Sequence, residues 1–159
     1  MINNQNNTTY LSFYIGNELL GADVSYILEV LLNEPVTAIP RTEDFIVGVL
    51  NFRGEIVTVI DFADKLNLPI PESKKSSIVV VVELFKEDKA IKIGLKVDQV
   101  RKVFEVPGNE LKEVPEFGKY YNPEFLMGVA KTNDGLVTLL DLEKILNEKE
   151  VQLITNTNK

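Results

Sequence analysis

The chain has 159 residues, 45% hydrophobic and 26% charged, with a net charge of −7 and no His, Cys or Trp. This length suits one domain or two small ones that fold without disulfides or metal. The missing residues exclude Ser-His-Asp and Cys-His nucleophiles, redox motifs and the usual zinc, haem and iron–sulfur ligand sets, leaving only carboxylate, Lys or Tyr chemistry to an enzyme.

The chain opens on a polar, Asn-rich stretch, Met1 to Thr9, with no apolar core of a signal peptide. Leu11, Phe13 and Ile15 alternate with polar or small residues, the pattern of a half-buried strand. Asp23 is placed to cap a single helical turn over Val24 to Glu29. The β-branched runs Ile56 to Ile60 and Ile78 to Val82 predict strands covered on both faces. Turn-forming clusters punctuate them at Asn33 to Pro35, Pro69 to Ser73, Lys86 to Lys89 and Pro107 to Asn109. Asp141 is placed to cap a longer helix over Leu142 to Glu148, with Leu142, Ile145 and Leu146 on one face. No apolar run approaches the roughly 18 residues of a membrane span. The pattern is mainly β.

An internal repeat organises these elements. Phe45–Phe62 aligns without gaps on Phe125–Leu142 at an offset of 80, with identities at Phe45, Gly48, Val49, Val57, Thr58 and Asp61. Upstream, Leu20-Gly21, Val24, Ile27 and Val30 match Ile93-Gly94, Val97, Val100 and Val103 at an offset of 73. The chain therefore reads as two copies of one small β unit, 9–72 and 73–150, joined near Pro69 to Ser77. A unit of this size with five short strands suits a small closed barrel, which leaves no sheet edge exposed. The expectation is two five-stranded β-barrels packed side by side, with a short helical turn and a C-terminal helix.

The copies differ over one contiguous run, a hairpin tip. Copy two reads Asn133-Asp134-Gly135, an ordinary tight turn. Copy one reads Asn51-Phe52-Arg53-Gly54, placing an aromatic ring and a cation there. Copy one also has Glu29 where copy two has Lys102, so a carboxylate and a guanidinium are expected to pair, Glu29 with Arg53, in copy one alone. Leu28 replaces Arg101 beside Ile27, making that stretch a candidate interaction patch. The charge is equally uneven. Residues 1–72 hold 3 basic and 10 acidic residues, whereas 73–159 hold 14 of each. An acidic half argues against nucleic acid and membrane surfaces as partners.

The segment Phe45-Ile46-Val47-Gly48-Val49-Leu50-Asn51-Phe52-Arg53-Gly54-Glu55, followed by an apolar strand and Asp61-Phe62, resembles the CheW family of chemotaxis coupling proteins. The resemblance extends over about residues 9–148, with Phe52 where the family usually has Leu. It implies two SH3-like barrels forming one CheW-like domain. It also implies a non-catalytic cytoplasmic adaptor, without cofactor or metal, recruited to membrane-bound arrays between chemoreceptors and the histidine kinase CheA. By position, Ile27, Glu29, Gly48 and Val49 match places where the family meets the receptor's helical hairpin, and Glu29 with Arg53 matches a supporting charge pair. The docking hairpin would be Asn51, Phe52, Arg53 and Gly54. The kinase regulatory domain is expected on the first barrel.

Three other readings arise from the residues. A regulatory module of a larger signalling protein fits the same resemblance, although the polar stretch Thr155 to Lys159 favours a free-standing adaptor. A carboxylate enzyme would use Asp61 with Asp141 or Glu55, but both Asp residues come after strands and before helical signals, where capping explains them. An RNA-binding small barrel lacks a basic stripe with interleaved aromatics.

Overall fold

The structure is a computed structural model describing residues 7–40, 43–68, 78–86, 88–113 and 122–158. Its strands are β1 (Asn7–Ile15), β2 (Glu18–Asp23), β3 (Ile27–Leu32), β4 (Ile46–Phe52), β5 (Glu55–Asp61), β6 (Ile78–Lys86), β7 (Lys89–Val97), β8 (Gln99–Pro107), β9 (Leu126–Thr132) and β10 (Gly135–Leu140). A one-turn helix α1 (Phe62–Lys65) comes after β5, and α2 (Glu148–Thr157) closes the chain. The strands form two five-stranded sheets, ordered β8-β1-β2-β10-β9 and β3-β6-β7-β5-β4. We call them barrel A and barrel B.

This order corrects the expected division at residue 72. Barrel B takes β3, β4 and β5 from copy one but β6 and β7 from copy two, and barrel A is the reciprocal. The copies have exchanged their first hairpins. The exchange begins where Asp23 caps a turn at Val24–Tyr26, accepting from Ser25 N at 2.9 Å, which leads the chain out of barrel A before β3 begins. The turn is shorter than expected, since Ile27 already belongs to β3. Each foreign hairpin is held on one side by antiparallel pairing (β1 on β8, β6 on β3) and on the other by a parallel contact (β2 on β10, β7 on β5). The expected junction near Pro69 to Ser77 lies outside the described residues.

The exchange accounts for the continuous apolar runs. In β6, Val79 and Val81 pack inside barrel B with Leu50, Phe52, Val57 and Val59. Val80, Val82 and Leu84 point the other way, into a core shared with Phe13, Ile15, Leu20 and Ile154. A strand buried on both faces has no room for polar alternation. The run Ile56 to Ile60 obeys this only in part, because Ile56 lies at the mouth of the hairpin and is 41% exposed. Tyr10, Ala130, Val137 and Leu139 form the interior of barrel A.

The C-terminal helix also departs from expectation. Leu142–Lys144 is one 3₁₀ turn, capped by Asp141. The α-helix starts later, behind a capping box in which Asn147 accepts from Glu150 N at 2.8 Å and Glu150 Oε1 accepts from Asn147 N at 2.9 Å. It runs through most of the stretch read as a polar tail. Among the described residues no helix is long and apolar enough to cross a membrane.

Candidate functional site

The site lies where barrel B closes. Its edge strands are β3 and β4, and five residues past β3 the chain reaches back to β4. Thr37 N donates to Val49 O at 2.7 Å and Val49 N donates to Thr37 O at 2.8 Å. Gly48 makes this approach possible: a Cβ there would lie 2.1 Å from Thr37 O and 2.8 Å from its carbonyl carbon. Gly48 is therefore a point of close backbone approach. The backbone it admits belongs to this chain, and Gly48 is buried beneath it. Barrel A closes identically, Lys112 and Val129 exchanging bonds of 3.0 and 2.8 Å over Gly128. The two glycines lie in like surroundings.

Closure brings the β4–β5 hairpin tip over β3. Arg53 Nη2 donates to Glu29 Oε1 at 2.8 Å, with the side chains 64% and 43% exposed. An exposed pair of this kind contributes about 0–1 kcal/mol, so it positions the tip more than it stabilises the fold. Arg53 and Gly54 take φ of +52° and +85°, the two left-handed positions of a type I′ turn. Asn51 Oδ1 accepts from Gly54 N at 2.9 Å. Arg at the first left-handed position is strained, a position that suits Asn better. Phe52 does not sit at the tip as expected. Its ring is buried in barrel B, and the Arg53 guanidinium lies over it at 4.7 Å. Packing decides this, because Phe52 falls on the inward face with Leu50. The cation is thus held from three sides: by Glu29, by the ring and by the turn.

Barrel A carries a matching staple with its signs reversed. Arg101 Nη2 donates to Asp134 Oδ1 at 2.9 Å, and Lys102 Nζ stands 3.5 Å from Oδ2. Here the cations lie on the strand and the anion on the hairpin. This corrects the expectation that a carboxylate–guanidinium pair exists only in copy one. The Arg101 hydrogen bond holds the Asp134 carboxyl below its usual range, against opposing desolvation. Ile27 and Leu28 are half-buried, packed against the shared core and the interior of barrel B respectively. Neither forms an open patch. The apolar side chain that β3 does expose is Leu32, at its end.

A family model for the CheW-like domain matches residues 9–150. The chain belongs to the CheW family. It is 31% identical over 150 residues to the chemotaxis protein CheW of Klebsiella aerogenes, covering 94% of this chain and 88% of that one. It is 32% identical over 145 residues to the chemotaxis protein CheW of Thermotoga maritima, covering 89% of each. Among solved structures, the scaffolding protein TtCheW from Thermoanaerobacter tengcongensis superposes with a TM-score of 0.76 at 30% identity, over 90% of this chain and 96% of that one.

Around this CheW-family site, the carboxylates considered for an enzyme have structural partners. Asp61 caps α1, accepting from Ala63 N at 3.1 Å, and Asp141 accepts from Glu143 N at 3.1 Å. Glu55 accepts from Lys92 Nζ at 2.6 Å. Among the described residues no three acidic side chains gather as a metal site. Sequence reasoning missed the anchoring of α2. Lys65 Nζ donates to Glu150 at 2.8 Å and lies 5.3 Å from the Phe45 ring and 5.5 Å from the Phe125 ring, the two copies of one repeat position. At the far end, Asn158 Oδ1 accepts from Thr58 N at 2.8 Å while its Nδ2 donates to Lys92 O at 3.0 Å.

Proposed function

We propose that this chain is a non-catalytic chemotaxis adaptor that docks a chemoreceptor's cytoplasmic helical hairpin and the regulatory domain of the histidine kinase CheA at the same time. The observation carrying this reading is the Glu29–Arg53 staple on the closure of barrel B, within a chain of the CheW family. The receptor contact centres on Arg53 and Glu29, with Ile27, Gly48 and Val49 shaping the surface below them. The hairpin Asn51, Phe52, Arg53 and Gly54 supplies the tip. Gly48 contributes indirectly, by letting Thr37 draw the hairpin onto β3, and Phe52 contributes as the buried seat of the guanidinium.

A cation fixed by a ring, a carboxylate and a turn has already lost its rotamer freedom before the partner arrives. That lowers the ordering cost of docking. Arg-for-Lys replacement is not equivalent here, because the planar fork meets Glu29 and stacks on Phe52 together. The kinase domain packs on another face of barrel B, and the two contacts couple through the rigid barrel between them. The protein works in the cytoplasm, at membrane-bound receptor arrays, without inserting into the bilayer and without nucleic acid. Co-sedimentation with receptor cytoplasmic fragments tests the assignment. Arg53→Ala is expected to weaken receptor binding while the melting temperature holds; unchanged binding would overturn it.

A further inference from the structure

The β4–β5 hairpin is clamped on both edges at one level of barrel B, where Val49 of β4 pairs with Thr58 of β5. On one edge Thr37 exchanges two backbone bonds with Val49. On the other, Thr58 and Ile93 are the first partners of the parallel β5–β7 contact. Toward the tip, the three remaining pairs, Leu50 with Val57, Asn51 with Ile56 and Phe52 with Glu55, join the hairpin only to itself among the described strand pairs. Leu50, Phe52 and Val57 seat its inner face in barrel B.

Two polar links hold the hairpin's edge toward β7. Lys92 Nζ donates to Glu55 Oε2 at 2.6 Å, beside Gly54. Asn158, the residue that caps the end of α2, bridges the two strands. Its Oδ1 accepts from Thr58 N at 2.8 Å, and its Nδ2 donates to Lys92 O at 3.0 Å. Thr58 Oγ1 also donates to Oδ1. The carboxamide thus adds a rung to the β5–β7 contact on the side of the tip, and Asn158 and Gly54 line one cleft of about 410 Å³.

Barrel A provides the comparison. Val129 pairs with Thr138, and Thr138 with Leu20, as their counterparts do in barrel B. Leu19 stands in the place of Lys92. The tip carboxylate of Asp134 meets two cations there, Arg101 and Lys102. Among the described ion pairs, Arg53 in barrel B meets Glu29 alone. The brace from α2 falls on the barrel whose tip is tied to its neighbouring strand by the single pair.

We infer that Asn158 is a positioning residue for receptor docking: by bonding Thr58 and Lys92 it fixes the root of the β4–β5 hairpin, and so the place of Arg53. This rests on the adaptor reading above, with Arg53 at the receptor contact. Asn158 acts through the hairpin. Without its carboxamide, Thr58 N–H and Lys92 C=O pass to water, the tip samples more positions, and docking must order Arg53 afresh.

The test uses the full chain, with amide NMR of the free protein and fluorescence anisotropy of a labelled receptor cytoplasmic fragment. In Asn158→Ala the Arg53 and Gly54 resonances should shift and broaden, while those of Asp134 and Gly135 stay in place. Receptor affinity should fall about three- to tenfold, the size of one lost hydrogen-bonded group. In the Arg53→Ala background the same change should cost nothing further, because the cation it positions is gone. Lys92→Met removes the Glu55 link and keeps the Lys92 backbone, and it should move the same resonances. A parent chain that binds no receptor fragment would overturn the adaptor reading and the docking role with it. Binding by the parent with tip resonances unmoved in both variants, or an affinity loss that adds in full to that of Arg53→Ala, would overturn this inference alone.

Discussion

Gly48→Ala is the most informative single substitution, because it separates closing the barrel from touching a partner. The added Cβ would stand 2.1 Å from Thr37 O, a backbone atom that no rotamer change can move aside. Ordinary contact begins near 3.4 Å, so the Thr37–Ala38 backbone must retreat by about 1.3 Å. That opens both closure hydrogen bonds, now 2.7 and 2.8 Å. Each contributes about 0.5–1.5 kcal/mol net, so their loss costs roughly 1–3 kcal/mol. Residual overpacking brings the total to about 2–4 kcal/mol. For a chain of this size that lowers the melting temperature by roughly 5–15 °C. Gly128→Ala should also destabilise, by a different balance: its contacts are milder, Lys112 O at 2.7 Å and the movable Leu111 side chain, but its φ of +158° disfavours a side chain. Thermal melts beside receptor co-sedimentation read both quantities. Gly48→Ala should lose stability and binding together. A variant that melts like the parent yet no longer binds would refute the closure argument and return Gly48 to the docking surface.

Arg53→Asn should do the reverse, holding or raising stability by about 0.5–1 kcal/mol in a denaturant titration, since Asn suits the left-handed turn position, while weakening receptor binding. Val80→Asp should prevent folding, visible as lost β-sheet circular dichroism, because it puts an unpaired carboxylate into a shared core where Val80 is 2% exposed. The Asp134 carboxyl is held below its usual range by Arg101, so its contribution is present above the unfolded value and lost as pH falls through the folded one. Asp134→Asn should therefore lower stability slightly at neutrality and flatten the acid limb of a stability–pH curve below about pH 4, where variant and parent converge.

The repeat was legible because duplication leaves a constant offset, and the closing glycines were legible as its shared positions. The hairpin exchange was not. Aligning the copies says which strands correspond, but nothing about whose partner β1 or β6 chooses, and β1 on β8 satisfies the same apolar pattern as pairing within its own copy. The reversed staple was hidden by alignment. Arg101 lies under Leu28 and Asp134 under Gly54, so each partner stands one residue from the positions equivalent to Glu29 and Arg53. Phe52 was misplaced because hairpin tips are judged from the turn, whereas strand alternation already set it inward with Leu50. The signal for α2 was present in Asn147 and Glu150, a capping box at the right spacing. It was obscured by the polar residues that make up most of the helix, since α2 fully buries Ile154 alone, packs Val151 and Leu153 partly against the shared core, and is tied down by Glu150 and Asn158.

Simultaneous docking is the core of the adaptor reading, and a sedimentation-velocity experiment on three purified components addresses it. Mixing the full chain with receptor cytoplasmic fragments and the CheA regulatory domain should give one boundary containing all three. In that mixture Arg53→Ala should release the receptor fragment and leave the kinase domain bound. Two boundaries in which receptor and kinase fragments displace each other, or a chain that sediments alone, would contradict the account.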